Sequence, residues 1–139
     1  MKNNILIGIS IVSIVTANVF AQEEGNGFRA GATLAVQEAN LKDGFRLTDK
    51  AKEAIGVKTK ALGPKPFKLS ANSLVHYSDK VGVYRLRQGW FKLIEVKKTN
   101  QDNGSVLISS SDLKESDDVA VEGVALLRVS EMDAFGGEE

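Results

Sequence analysis

Residues 81–96 constrain the fold more than any other part of the sequence. Val81, Val83 and Arg85 alternate with Tyr84 and Leu86. The tripeptide at 87–89 interrupts this alternation, and residues 90–96 resume it. Successive side chains of a strand point to opposite faces, and β-branched and aromatic residues favour strands. Gly89 suits a turn position with positive φ, which a residue with a Cβ atom resists. The segment therefore predicts a β-hairpin that turns at Gly89.

Further period-two segments extend this interpretation to the rest of the chain. Alternation or short β-branched runs, separated by turn residues, occur at 31–37, 57–61, 67–69, 73–77, 106–108, 119–121 and 124–129. One segment differs: Thr48 is a candidate N-cap, Ala51 and Ile55 are spaced for one helical face, and Gly56 is a candidate C-cap. The sequence predicts a mainly β fold, a small β-barrel or β-roll of about seven or eight strands with one short helix.

The amino terminus has the pattern of a secretory signal. Lys2 precedes a short apolar stretch at 5–17, and Val-Phe-Ala at 19–21 offers a small-residue cleavage site. We expect a signal peptide at 1–21, an N-terminal segment with the first strand at 22–43, a β-domain at 44–129 and an acidic flexible tail at 130–139. An uncleaved anchor is the alternative for residues 5–21. Cleavage predicts export and leaves 118 residues, which suffices for one modest core.

The composition of the chain argues against several classes of function. The chain has 18 basic and 18 acidic residues and no block of like charges, which disfavours a nucleic-acid partner. It has no cysteine, which excludes disulfide scaffolds, thiolate metal sites and cysteine nucleophiles.

Candidate catalytic and metal-binding residues are few. His76 is the only histidine, it lies in a predicted strand, and no serine has the Gly-x-Ser-x-Gly surroundings of a hydrolase nucleophile. Met132 is the only methionine after the predicted cleavage site, so a soft-metal site would have His76 and Met132 as its weak candidate ligands. We expect a protein that is not an enzyme and has no cofactor.

The order of several short motifs resembles a known family. Gly44-Phe45-Arg46-Leu47-Thr48, followed by a short helix and Ile55-Gly56, is similar to a segment of periplasmic adaptors (membrane-fusion, hemolysin-D-like proteins). The pieces at 71–75, 83–86, 89–91 and 117–121 resemble, in order and spacing, the membrane-proximal domain of the same family. The resemblance is greatest to adaptors of heavy-metal efflux pumps of the resistance-nodulation-division (RND) class, and it covers residues 44–129.

The resemblance implies a non-enzymatic periplasmic accessory of an RND-type efflux system. Its expected partner is the periplasmic part of the pump or a full-length adaptor. Arg85, Arg87, Trp90 and Lys92 on the predicted hairpin are the candidate contact residues, because long cationic and aromatic side chains suit interfaces. The segment at 57–67 links the two halves of the domain directly, where full adaptors insert lipoyl and helical-hairpin parts. A free periplasmic protein that binds a metal ion or small ligand is the alternative.

Overall fold

Two antiparallel sheets and two helices make up the part of the chain that the computed structural model describes, residues 35–100 and 103–136. The strands are β1 Val36–Asn40, β2 Gly44–Leu47, β3 Lys58–Ala61, β4 Phe67–Ser70, β5 Val75–Tyr77, β6 Lys80–Arg87, β7 Trp90–Glu95, β8 Lys97–Asn100, β9 Ser105–Ser109 and β10 Asp118–Glu122. The helices are α1 Asp49–Ile55 and α2 Val124–Phe135, and a 3-10 turn spans Ala71–Ser73.

The larger sheet has the order β1-β2-β7-β6-β10-β3, and β5 also pairs with β6. The smaller sheet has the order β4-β9-β8. The smaller sheet covers one face of the larger sheet, where Phe67 and Val106 share a buried cluster with Val83 and Ile94. The helices cover the other face, where Leu127 of α2 shares a second buried cluster with Tyr84 and Phe91. The larger sheet is therefore the middle layer, with the smaller sheet packed on one face and the helices packed on the other.

The prediction of a mainly β fold with a short helix at 48–56 is confirmed. The Thr48 hydroxyl accepts a hydrogen bond from the Ala51 N–H at 3.1 Å, and Gly56 ends α1 in the left-handed conformation at φ 71°. The predicted hairpin is also confirmed as β6 and β7.

The sequence predicts a small β-barrel or β-roll of about seven or eight strands. The described residues contain ten strands in two sheets, and these strands do not close into a barrel. Period-two alternation marks a strand with two distinct faces, and it is the same whether a sheet closes on itself or packs against a second sheet. The pattern therefore could not separate a barrel from this layered arrangement.

The prediction of a strand at 124–129 is wrong, and the predicted flexible tail at 130–139 is contradicted over residues 130–135. Residues 124–129, expected as a strand, begin α2, and residues 130–135 of the expected flexible tail continue the helix. A short apolar run has no clear period, and Ala and Leu are strong helix formers. The predicted signal peptide at 1–21 and residues 31–34 of the predicted first strand lie outside the described residues, as do residues 137–139.

Candidate docking surface on the β6–β7 hairpin

The four predicted contact residues lie together on one face of the larger sheet. In the hairpin register Arg85 is opposite Lys92, and Arg87 is opposite Trp90. Side chains two residues apart along a strand share a face. The pair next along the hairpin, Val83 and Ile94, packs under the smaller sheet. All four residues are therefore on the face that the smaller sheet covers, nearer the hairpin turn, and they are half-buried.

The turn that joins the two strands has a strict backbone requirement. Gln88 and Gly89 have φ values of 50° and 82°, so both central residues are left-handed, as a two-residue type I′ turn requires. A Cβ atom on Gly89 would lie 3.3 Å from Nη2 of Arg46. Glycine therefore serves both the turn and the close approach of this arginine.

Arg46 is a member of the surface that sequence analysis did not single out. Phe45 of β2 is in register with Phe91 of β7, which brings the next residue, Arg46, beside Trp90. The Arg46 guanidinium carbon is 5.4 Å from the centre of the Trp90 ring, within the range of a cation–π interaction. No sequence signal joins these two positions, because the pairing of β2 with β7 is a long-range contact. We call Arg46, Arg85, Arg87, Trp90 and Lys92 the cationic hairpin surface.

Two arginines of this surface have carboxylate partners. Arg87 donates from Nε and Nη2 to the two carboxylate oxygens of Asp117, at 2.7 Å each, and Arg46 is 3.7 Å from Glu38. The Asp117 side chain is only 2% exposed and also accepts the N–H of Lys114 at 2.8 Å. Burial raises the pKa of Asp117, but the bonds from Arg87 and Lys114 outweigh it, so the pKa lies below its ordinary value. The same bond raises the pKa of Arg87.

Arg85 and Lys92 have no carboxylate within salt-bridge distance in the described part of the chain. Arg85 donates from Nη1 to the carbonyl oxygen of Asp112 at 3.2 Å, and Lys92 donates to the carbonyl oxygen of Lys42. Burial, followed by repulsion from Arg87, lowers the pKa of Arg85. These two cations are held in place by neutral acceptors.

An open groove of about 910 Å³ lies beside this surface, at one end of the smaller sheet. Its walls come from the start of β4, the junction of β7 with β8, and the loop after β9, and they include Lys65, Glu95, Lys97, Ser110 and Asp112. Asp112 belongs to both features, because its carbonyl oxygen accepts from Arg85 and Arg87 while the residue lines the groove.

The two weak metal candidates lie on opposite sides of the larger sheet. Val75 and Tyr77 of β5 pack in the helix-side cluster, so the exposed His76 between them faces the other way. Met132 is on α2, which covers the helix side. The fold therefore does not bring His76 and Met132 together as ligands. Within residues 35–100 and 103–136 there is no cluster of three or more His, Cys, Asp or Glu side chains suited to a metal ion.

A search of the described helices finds none with the length and apolar character needed to cross a membrane. Comparison of the chain with protein-family models, with curated proteins and with solved structures yields no match.

Proposed function

We propose that this protein is a non-enzymatic periplasmic accessory of an RND-type efflux system, and that it docks on the periplasmic part of the pump or on a full-length adaptor. Two features of the sequence support the location and the partner class: the signal-like segment at 1–21, and the ordered motifs at 44–129 that resemble the membrane-proximal domain of adaptors.

The observation that carries the docking role is the convergence of the contact residues. The register of β6 and β7 puts the four candidate contact residues on one face of the sheet: Arg85, Arg87, Trp90 and Lys92. Arginine and tryptophan are enriched in the energetically dominant parts of protein interfaces. Since Arg46 extends the same surface around Trp90, the feature is a patch and not a single exposed side chain.

The lengths of the helices favour an accessory role over that of a conduit. Full adaptors span the periplasm with a long helical hairpin, whereas the helices of the described residues have 7 and 12 residues. A chain of this kind adds a contact to an assembly that other subunits build.

The test is affinity capture from the cell envelope of the source organism with the exported protein as bait. We expect pump or adaptor subunits to be enriched. Trp90→Ala should weaken capture about 30-fold or more, which corresponds to the roughly 2 kcal/mol of an interface hot spot. Leu126→Ala, on the outer side of α2, is the matched control and should capture normally.

Thermal unfolding of both variants separates lost binding from lost folding. Enrichment of neither a pump nor an adaptor subunit would refute the proposal, as would equal capture by wild type and a folded Trp90→Ala variant.

The groove beside the surface supports a second candidate, a free periplasmic binding protein for a small ligand. Its mixed lining of lysine, serine and carboxylate side chains is of the kind that orients a polar molecule. The metal form of this candidate is independent of the groove, because His76 is not among the residues that line it. Calorimetry with copper, silver and zinc tests this form. Micromolar or tighter binding that is lost in His76→Ala would favour it over the docking role.

A further inference from the structure

The cationic hairpin surface contains an arrangement of charge that the rest of the described sheet avoids. Arg85 and Lys92 are directly opposite each other on neighbouring strands, where Cβ atoms are about 5 Å apart. Like charges in this position destabilise a sheet. Elsewhere in the larger sheet cations face carboxylates, as in Lys58 with Glu122 at 2.8 Å and Lys80 with Glu95 at 2.9 Å.

The donors of this pair are only partly used. An arginine has five N–H donors and a lysine ammonium has three. Arg85 makes one hydrogen bond through Nη1, to a backbone carbonyl, and its buried Nε has no acceptor among the described residues. Lys92 likewise makes one hydrogen bond, to a backbone carbonyl. A buried donor without an acceptor is unfavourable because it has lost its hydrogen bonds to water.

The neighbouring carboxylates do not supply this acceptor. Asp117 is committed to Arg87 through both of its oxygens. Asp117, Asp112 and Asp43 attract Arg85 electrostatically, but none of them forms an ion pair with it. Among the described residues, Arg85 and Lys92 therefore remain cations without an ion-pair partner.

We propose that Arg85 and Lys92 form a carboxylate-binding site, which takes an aspartate or glutamate side chain of the docking partner. The inference deepens the proposed function, since it names the partner's chemistry at the same surface. A carboxylate between the two side chains accepts from both, and charge-assisted hydrogen bonds of this kind are about twice as strong as neutral ones. The neutral carbonyls of Lys42 and Asp112 hold the two cations in position without neutralising them.

The site is tested with a capped tetraglutamate peptide as probe and the exported, isotope-labelled protein as target. The Arg85 Nε–H should give a protected NMR signal because this atom is buried. We expect that signal, and the amide signals of β6 and β7 around Arg85 and Lys92, to shift on addition of peptide at low ionic strength. Sodium chloride at matched ionic strength should not reproduce the shift.

Arg85→Gln and Lys92→Gln should each weaken peptide binding about tenfold or more, because each removes a charged donor. Lys98→Gln is the matched control, since Lys98 is an exposed lysine on β8 of the other sheet. A shift equal to that with chloride, or equal shifts at every exposed lysine, would overturn the proposal. A response to inorganic phosphate without a response to the peptide would overturn the carboxylate assignment.

The outcome separates this inference from the proposed function. Peptide binding at Arg85 and Lys92 without capture of pump or adaptor subunits would leave the site standing and remove the efflux role. Capture that is unchanged in folded Arg85→Gln and Lys92→Gln variants would do the reverse.

Discussion

The middle sheet carries an arginine–carboxylate cluster on each face, and the two clusters differ in how completely their charges are paired. On the helix side, Glu131 of α2 accepts from the Tyr84 hydroxyl at 2.6 Å and from Arg128 at 2.8 Å. On the other side, Asp117 neutralises Arg87 but leaves Arg85 and Lys92 without a carboxylate.

The difference distinguishes a cluster that only stabilises the fold from one that also has cations free of ion pairs. Burial and the bond to Glu131 raise the pKa of Tyr84, so its hydroxyl stays protonated and holds α2 against the sheet. The cationic hairpin surface has a similar internal anchor in Asp117, yet Arg85 and Lys92 have no ion-pair partner among the described residues. Surplus charge of this kind is expected where binding competes with stability.

The largest expected effect concerns the backbone contact beneath the cationic surface. Gly44 has φ 104°, and a Cβ atom there would overlap the carbonyl oxygen of Phe91 on β7. Gly44→Ala should lower the free energy of unfolding by about 4 kcal/mol, because backbone strain and steric overlap add. Urea unfolding measures the loss.

Gly63→Ala is the control for this prediction. Gly63 also has a positive φ, 68°, but its Cβ would meet nothing within 4 Å, so only about 1 kcal/mol should be lost. Equal losses in the two variants would show that the approach of β2 to β7 is not tight.

The next largest effect concerns Asp117, the internal anchor of the cationic hairpin surface. Asp117→Ala removes both bonds to Arg87 and the bond from the Lys114 N–H, and it should cost about 3 kcal/mol. Asp112→Ala keeps the carbonyl that accepts from Arg85 and Arg87, and it should cost less than about 0.5 kcal/mol. Comparable losses in chemical denaturation would contradict the assigned role of Asp117.

Acid should remove the same contribution. The pKa of Asp117 in the folded state lies below the ordinary value of 3.8, so its stabilising effect is complete above about pH 4 and disappears as the pH falls through the folded pKa. The difference in unfolding free energy between wild type and Asp117→Asn should therefore be constant from about pH 5 to 7 and shrink in more acid solution. A difference that grows towards low pH would reverse the sign of this argument.

Substitutions in the helix-side cluster should lower the free energy of unfolding by less than Asp117→Ala does. Glu131→Ala leaves the fully buried Tyr84 hydroxyl without its acceptor and should cost about 2 kcal/mol. Tyr84→Phe removes the hydroxyl itself and leaves Glu131 paired with Arg128, so the loss should be about 1 kcal/mol. The order of these two losses, read from thermal unfolding, checks whether the hydroxyl needs the carboxylate.

The smallest effect has the opposite sign. Lys92→Glu replaces a like-charge cross-strand pair with an attractive one, and it should stabilise the protein by about 0.5 kcal/mol. Lys98→Glu, on β8, should leave stability nearly unchanged. A lower Tm of Lys92→Glu would contradict this prediction. It would mean that the protein itself already compensates the charges of Arg85 and Lys92, so that no carboxylate of a partner is needed.

The sequence by itself determined the local features of this protein. Alternation around residues 81–96 was enough to predict the β6–β7 hairpin and its turn at Gly89, and Thr48 and Gly56 were enough to bound α1. These signals depend on steric preferences of neighbouring residues, which act whatever the rest of the chain does. The same hairpin register, once predicted, also places Arg85, Arg87, Trp90 and Lys92 on one face.

Only the tertiary structure decided which long-range partners these elements have. The pairing of β2 with β7 brings Arg46 to Trp90, and the loop before β10 brings Asp117 to Arg87. The apolar run at 124–129 became a helix because Leu127 packs on the helix side of the sheet, a contact that its ambiguous period did not specify. Side-chain spacing encodes which faces are apolar, whereas the neighbour that covers each face, and so which charges remain unpaired, depends on contacts between distant segments.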